Sequence, residues 1–202
     1  YKYYDLSIDP NPPVRTGDNY ILDLYKDRQG KIWIGTIGGG LKLLDPITGE
    51  ITHFKNDPGN PTSISSNAVS SICEDDLGNL WIGTGHSELK EGNGLNKFDP
   101  HTKQYIHYKH DPEDPSSLRS DNISSLLIDN EGILWIGSLD NQLNSFLIAE
   151  LLVSHKPHFT RYSCCDANTV TSIDEDRSGN IWISFHGRTF YKFNRQQNPF
   201  IW

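Results

Sequence analysis

Three acidic clusters, Glu74-Asp75-Asp76, Glu113-Asp114 and Asp174-Glu175-Asp176, are the obvious places to look for acid–base chemistry in this 202-residue chain. Paired carboxylates are what glycoside hydrolysis requires. Each cluster, however, lies among turn-forming residues, and turn chemistry accounts for the carboxylates without catalysis. The histidine pairs His107/His110 and His155/His158 have the spacing of a helical metal site. Here they fall in strands or loops, where residues i and i+3 point to opposite faces. His86 and His186 each follow a tryptophan-centred strand by a few residues. Gly38-Gly39-Gly40 lacks the lysine and the strand-to-helix context of a phosphate loop. The glycosylation sequon Asn122-Ile123-Ser124 falls inside a strand. No Ser-His-Asp or Cys-His arrangement is indicated. The residues therefore point to no catalytic group, no metal and no cofactor.

What surrounds these groups is a repeat. The phrase D-x-x-G-x-[IL]-W-I-[GS] occurs four times, opening at Asp27, Asp75, Asp129 and Asp176 and centred on Trp33, Trp81, Trp135 and Trp182. The tryptophans are 48, 54 and 47 residues apart. A period near 50 residues marks an array of small sheets. Asp and Gly make a tight turn, and the Ile/Leu-Trp-Ile run enters a strand at a fixed depth. Fourteen residues before each Trp stand Asn19, Asn67, Asp121 and Asn168, and twelve before stand Ile21, Val69, Ile123 and Val170. These columns predict a first strand ahead of the turn. Third strands follow at Gly40–Pro46, Gly94–Pro100, Gln142–Leu147 and Thr189–Asn194. Fourth strands follow at Ile51–Lys55, Tyr105–Lys109 and His158–Tyr162. The expected fold is all-β: a four-bladed β-propeller with four antiparallel strands per blade. It forms one domain over residues 1–202, with blades at about 19–56, 67–110, 121–163 and 168–202. Trp33, Trp81, Trp135 and Trp182 should be buried between blades, with Asp27, Asp75, Asp129 and Asp176 in structural turns.

The linkers repeat as well: Asp57-Pro58-Gly59-Asn60-Pro61-Thr62-Ser63-Ile64 parallels Asp111-Pro112-Glu113-Asp114-Pro115-Ser116-Ser117-Leu118. With the tryptophan phrase and the G-L-x-x-[LF]-D-P third strand, this resembles the two-component-regulator propeller repeat. That resemblance implies an extracytoplasmic sensing propeller of a hybrid kinase; it does not imply a ligand. Family sensors carry many more blades, a second β domain, a membrane helix and a kinase, none of which is in this sequence. The tryptophan phrase also resembles the Asp-box of sialidases, a structural turn remote from their active site. A sialidase would need clustered arginines, and those here are scattered.

Net charge is −8 and no Lys/Arg run exists, which argues against nucleic acid. No apolar run of about 18 residues exists, so no membrane insertion is expected. The chain starts at Tyr1 and has no methionine, the mark of a processed secreted protein or of an excised piece, in an extracellular or periplasmic setting.

Strand counting leaves a surplus. Tyr1-Lys2-Tyr3-Tyr4-Asp5 reads as a closing or donated fourth strand, yet Phe200-Ile201-Trp202 competes for the same place. One outcome is strand addition to a neighbour, with Tyr1, Tyr3, Tyr4, Phe200, Ile201 and Trp202 as anchors. Cys73, Cys164 and Cys165 leave an odd thiol. Cys73 and the Cys164/Cys165 pair sit at turns on opposite faces, about 20 Å apart along a strand. A disulfide needs Cα atoms within about 7 Å, so a bond between them would cross a subunit contact. The sequence thus reads as a non-catalytic, self-assembling interaction module, with itself as partner in an oligomer or filament. A carbohydrate-sensing propeller, with a glycan or protein ligand, is the alternative, and a glycan hydrolase or lyase stands behind it.

Overall fold

The computed structural model describes residues 20–86, 92–140, 142–154, 156–162, 169–187 and 189–193. Blade 1 comprises β1 (Ile21–Lys26), β2 (Ile32–Thr36), β3 (Leu41–Leu44) and β4 (Ile51–Phe54). Blade 2 comprises β5 (Val69–Glu74), β6 (Leu80–Thr84), β7 (Leu95–Asp99) and β8 (Gln104–Tyr108). Blade 3 comprises β9 (Ile123–Ile128), β10 (Ile133–Ser138), β11 (Leu143–Leu147) and β12 (Thr160–Tyr162). Blade 4 shows β13 (Val170–Glu175), β14 (Ile181–Phe185) and β15 (Thr189–Phe193) among the described residues. Every sheet is an antiparallel meander in chain order. The first strands of successive blades touch, β1 to β5, β5 to β9 and β9 to β13, so they line the propeller axis. This is the four-bladed β-propeller expected from the repeat. One element differs. The apolar run after β11 forms a 3-10 turn (Ile148–Glu150) and a short helix α1 (Leu151–Ser154) ahead of β12. Its residues alternate neither as strand nor as long helix, so no period announces it.

The aspartate does more than turn the chain. In each copy one carboxylate oxygen accepts the backbone N–H four residues on, at 2.9 Å from Lys31 and Asn79 and 3.0 Å from Ile133 and Asn180. The other oxygen accepts the indole N–H of the tryptophan six residues on. Those distances are 2.9 Å for Trp33, 3.0 Å for Trp81, 2.6 Å for Trp135 and 2.8 Å for Trp182. Gly30, Gly78, Gly132 and Gly179 hold φ between 76° and 83°, where a Cβ is strained. The turn thus places the indole, and the indole's only donor is satisfied where it is buried.

The tryptophans then pack between blades. Phe98, Phe146 and Phe193 from the third strand of the next blade meet Trp33, Trp81 and Trp135 edge-on, at 5.8, 5.3 and 5.1 Å between centroids. The fourth strand of the same blade adds Phe54, Tyr108 and Tyr162. Trp33, Trp81 and Trp135 are at most 2% exposed. Trp182, which meets no following blade among the described residues, is only partly buried. Close approach of blades also needs glycine after the tryptophan. A Cβ on Gly35 would lie 2.8 Å from Val69 Cγ1, one on Gly83 2.5 Å from Ile123 Cγ2, and one on Gly137 would collide with Val170 Cγ1.

Two outcomes follow. Trp81→Ala should cost about 3–5 kcal/mol in urea unfolding, the range for a fully buried large aromatic, and Trp182→Ala clearly less. Equal costs would contradict the packing described. The second concerns acid. Hydrogen bonds from Trp182 and then Asn180 hold the Asp176 carboxyl well below the usual carboxylate range. A depressed folded-state value means that its contribution is complete above the unfolded value, about 3.9, and is lost as pH falls below it. The melting temperature should fall below about pH 4, and Asp176→Asn should show a smaller fall.

Candidate functional site

Most groups with chemical potential are spent on holding blades together. Glu74 Oε2 accepts the Arg28 backbone N–H at 3.0 Å, and Arg28 Nη2 reaches Asp76 at 2.6 Å. Glu175 Oε2 accepts the Asn130 N–H at 2.9 Å. Asp174 accepts its neighbour's N–H. Asp114 accepts from Ser116 and from Lys156 Nζ at 2.6 Å; the Lys156 contact leads in holding its carboxyl below the usual range. His107 Nε2 and His110 Nδ1 lie 2.8 and 2.7 Å from the carbonyl oxygens of Ser63 and Leu118. Both therefore clasp the inter-blade linkers, and burial pushes His107 down. His158 is exposed, and His155 lies outside the described residues. His86 and His186 both follow a second strand, in blades 2 and 4. Gly38-Gly39-Gly40 forms the β2–β3 turn, with Thr36 N bonded to Gly40 O. Asn122 accepts from Gly92 N and donates to Asp140.

Cys73 is a free thiol, buried in the core beside Trp81, and burial pushes it far up. Its expected partners Cys164 and Cys165 lie outside the described residues, as do the assembly residues Tyr1, Tyr3, Tyr4, Phe200, Ile201 and Trp202.

A column of latches near the axis was not anticipated. Asp23 Oδ2 accepts the Ile72 N–H at 2.7 Å, and Ser71 Oγ accepts the Leu126 N–H at 3.0 Å. Both stand ten residues before a tryptophan and reach the next blade. Burial raises the Asp23 carboxyl against the opposing pull of the Ile72 and Leu24 amides. The mixed Asp/Ser identity hid this column, although its spacing is constant.

Two surfaces among the described residues are suited to partners. The first is a cleft of about 470 Å3 between blades 1 and 2, on the side of the Asp-Gly turns. Trp33, Phe54 and Phe98 form its floor. Gln29, Lys31, Glu50, Thr52, His101 and Lys103 form a polar rim. Lys103 has φ 57°, left-handed, where blade 1 uses Gly49 at φ 83°. A lysine held there is strained by about 1–2 kcal/mol.

The second surface is a pair of sheet faces. In blade 1, Ile21 is 46% and Leu24 59% exposed, whereas Val69, Ile123 and Val170 at the first position are 0%. In blade 4, Phe190 is 68% exposed, whereas Leu41, Leu95 and Leu143 at its register position are 0%. Both faces present side chains of the type that the other blades bury against one another.

Comparison with known proteins agrees with this architecture. Residues 17–38, 63–86 and 117–140 match the family described as two component regulator propeller. No curated protein matches the chain. Among solved structures, the extracellular domain of the inferred hybrid two component system BT3049 of B. thetaiotaomicron superposes with a TM-score of 0.74. Identity is 22%, over 95% of this chain and 24% of that one. PorZ, a surface component of the type-IX secretion system of Porphyromonas gingivalis, gives 0.68 at 16% identity, over 95% and 28%. A catalytically inactive virginiamycin B lyase from Staphylococcus aureus gives 0.67 at 15%, over 95% and 55%. The chain thus spans about a quarter of the sensor domain it superposes on. Three of the four tryptophan turns of this four-bladed propeller thus match the two component regulator propeller repeat, and all four are built alike.

Proposed function

We propose that this chain is a non-catalytic, extracytoplasmic interaction propeller of the two-component sensor type, which joins other propeller blades through the exposed sheet faces of blades 1 and 4. One observation carries the reading. Ile21, Leu24 and Phe190 occupy positions that are buried wherever two blades meet, and here they face solvent. Exposed apolar surface of this kind, continuous with an existing packing pattern, is what an interaction site looks like. The secreted location is supported by the extracellular sensor domains it resembles. Strand addition by residues 1–5 or 199–202 at the fourth-strand position of blade 4 is the finer form of the same proposal.

A second copy of the chain is a usable probe of these faces. At 1 M NaCl, where exposed charges are screened within about 3 Å, the chain should self-associate in sedimentation velocity. Leu24→Ser with Phe190→Ser should abolish that association while leaving the fold intact, since both side chains are exposed. A wild-type chain that stays monomeric at high salt and high concentration would overturn the reading.

The Lys103 backbone favours a second activity, binding of a carbohydrate in the cleft between blades 1 and 2. Strained backbone persists where something else requires it. Here it sets a cation on the rim of a cleft with an aromatic floor, a combination suited to a polyhydroxylated ligand. Lys103→Gly should therefore stabilise the fold by about 1 kcal/mol while reducing the thermal shift given by a glycan that protects the wild-type chain. If no glycan in a broad panel shifts the melting temperature, the carbohydrate reading fails.

A further inference from the structure

Three departures from the repeat meet at one place. Four residues before their tryptophans, the turns of blades 1, 3 and 4 carry Gln29, Glu131 and Ser178, whereas blade 2 carries Leu77. Seven before, Lys26, Glu74 and Glu175 are charged side chains, whereas blade 3 has Ile128. The third departure ends the third strand. Asp45 and Asp99 stand one residue past the partners of Ile32 and Leu80. Each closes a tight turn by accepting the N–H two residues on, from Ile47 at 2.9 Å and from His101 at 2.8 Å. The same position in blade 3 is Leu147. A leucine accepts no hydrogen bond, so this turn does not close, and the chain runs on through the 3-10 turn into α1.

Leu77, Ile128 and Leu147 line one groove of about 300 Å3 between the turns of blades 2 and 3. Ile148 and Leu152 of the helical segment add to its apolar lining. That segment is anchored: the Ile148 N–H donates to the Gly132 carbonyl at 3.1 Å, and Ile148 and Leu151 pack against the core around Trp81. Its outer side is open. Leu77 is 64%, Leu152 70% and Val153 85% exposed. Apolar residues placed to cover one another would not face water. These form an unpartnered apolar rim on a firmly held element, the mark of an interaction site.

The charges beside the groove fix the sign of its partner. Asp76 and Glu131 line it, and among the described residues no Lys, Arg or His does. Glu150 is exposed in the helical segment. One cation reaches the edge, Arg28, which pairs with Asp76 from the blade 1 side; the pair is open to solvent, where it is worth little. Lys156 is taken up by Asp114. An apolar floor inside an acidic rim matches an apolar side chain carried between cations. An anionic membrane surface would instead bring its phosphates against Asp76, Glu131 and Glu150.

We infer that the groove between blades 2 and 3 is a docking site for a polypeptide segment whose apolar anchor residues are flanked by Lys or Arg. It is separate from the sheet faces of blades 1 and 4 and does not depend on them.

Fluorescence anisotropy with three synthetic peptides tests this on the full chain, at low salt and at a concentration where the chain is monomeric. One peptide has a leucine–phenylalanine core flanked by lysines. The second has the same core flanked by glutamates, and the third a serine core flanked by lysines. The first should bind about tenfold more tightly than either of the others. Leu77→Ser with Leu152→Ser should weaken it by about tenfold. Glu131→Lys with Glu150→Lys should reverse the preference, so that glutamate flanks win. Leu24→Ser with Phe190→Ser should bind as the wild type does. All these side chains are exposed, and an unchanged melting temperature checks each fold. Equal binding of the serine and leucine–phenylalanine cores would reduce the site to diffuse charge attraction and overturn it. Binding that survives the loss of Leu77 and Leu152 would do the same, as would no binding at all. Vesicles of phosphatidylcholine and phosphatidylserine should not bind. If they capture the wild-type chain and release the Leu77/Leu152 variant, the surface is a membrane contact and the peptide reading fails.

Discussion

Everything in this propeller hangs on one hydrogen bond repeated four times, from an indole N–H to the aspartate six residues earlier. A tryptophan is the largest apolar unit the blade can bury, but its N–H must be paired when water is removed. The aspartate meets that requirement with one oxygen and uses the other to close the turn that launches the tryptophan strand. Position and satisfaction therefore come from the same side chain. The spacing of six cannot drift without losing one bond or the other, which is why the phrase survives when the flanking residues change.

From that fixed point the seams follow. The indole stands at constant depth, so the residue two places later always faces the next blade, and it must be glycine if a valine or isoleucine is to lie against it. The phenylalanine of the next third strand then meets the indole edge-on. Polar groups fill the remaining places, with Asp23, Ser71, Glu74 and Glu175 capturing amides of an adjacent blade. The acidic clusters that look like candidate catalysts are in this sense joinery. Carboxylates at these places need not be conserved in identity, only in their ability to accept a bond, and the Asp/Ser mixture near the axis reflects that.

Much of this was legible because repeats supply their own alignment. The tryptophan, glycine and β-branched columns appear in four copies, so strand order, turn type and blade count could be read directly. Pairwise chemistry could not. His107 and His110 look like a metal pair until each is seen on a linker carbonyl, a contact made across 44 and 8 residues of chain. The indole bond was hidden because turn formation already explained the aspartate. The short helix at Leu151–Ser154 was hidden because four residues carry no period. Trp182 belongs to the same column as Trp81, yet its burial depends on a neighbour that the column does not describe.

The magnitudes show why small differences between seams matter. Covering the exposed parts of Ile21, Leu24 and Phe190, each partly buried already, is worth about 3–5 kcal/mol together. Bringing two bodies together costs an amount of the same order, about 4 kcal/mol at the least. Apolar contact alone therefore leaves a docked blade near balance. Two like charges at about 4 Å add a penalty of about 1–4 kcal/mol, depending on how wet the seam is. A side chain forced into a glycine gap adds about 1–3 kcal/mol more. Against a near-zero sum these terms decide the sign. A repeat array can in this way keep one sticky face per blade and still discriminate among neighbours. The shared columns supply general adhesion, and the variable ones adjust the balance at each seam.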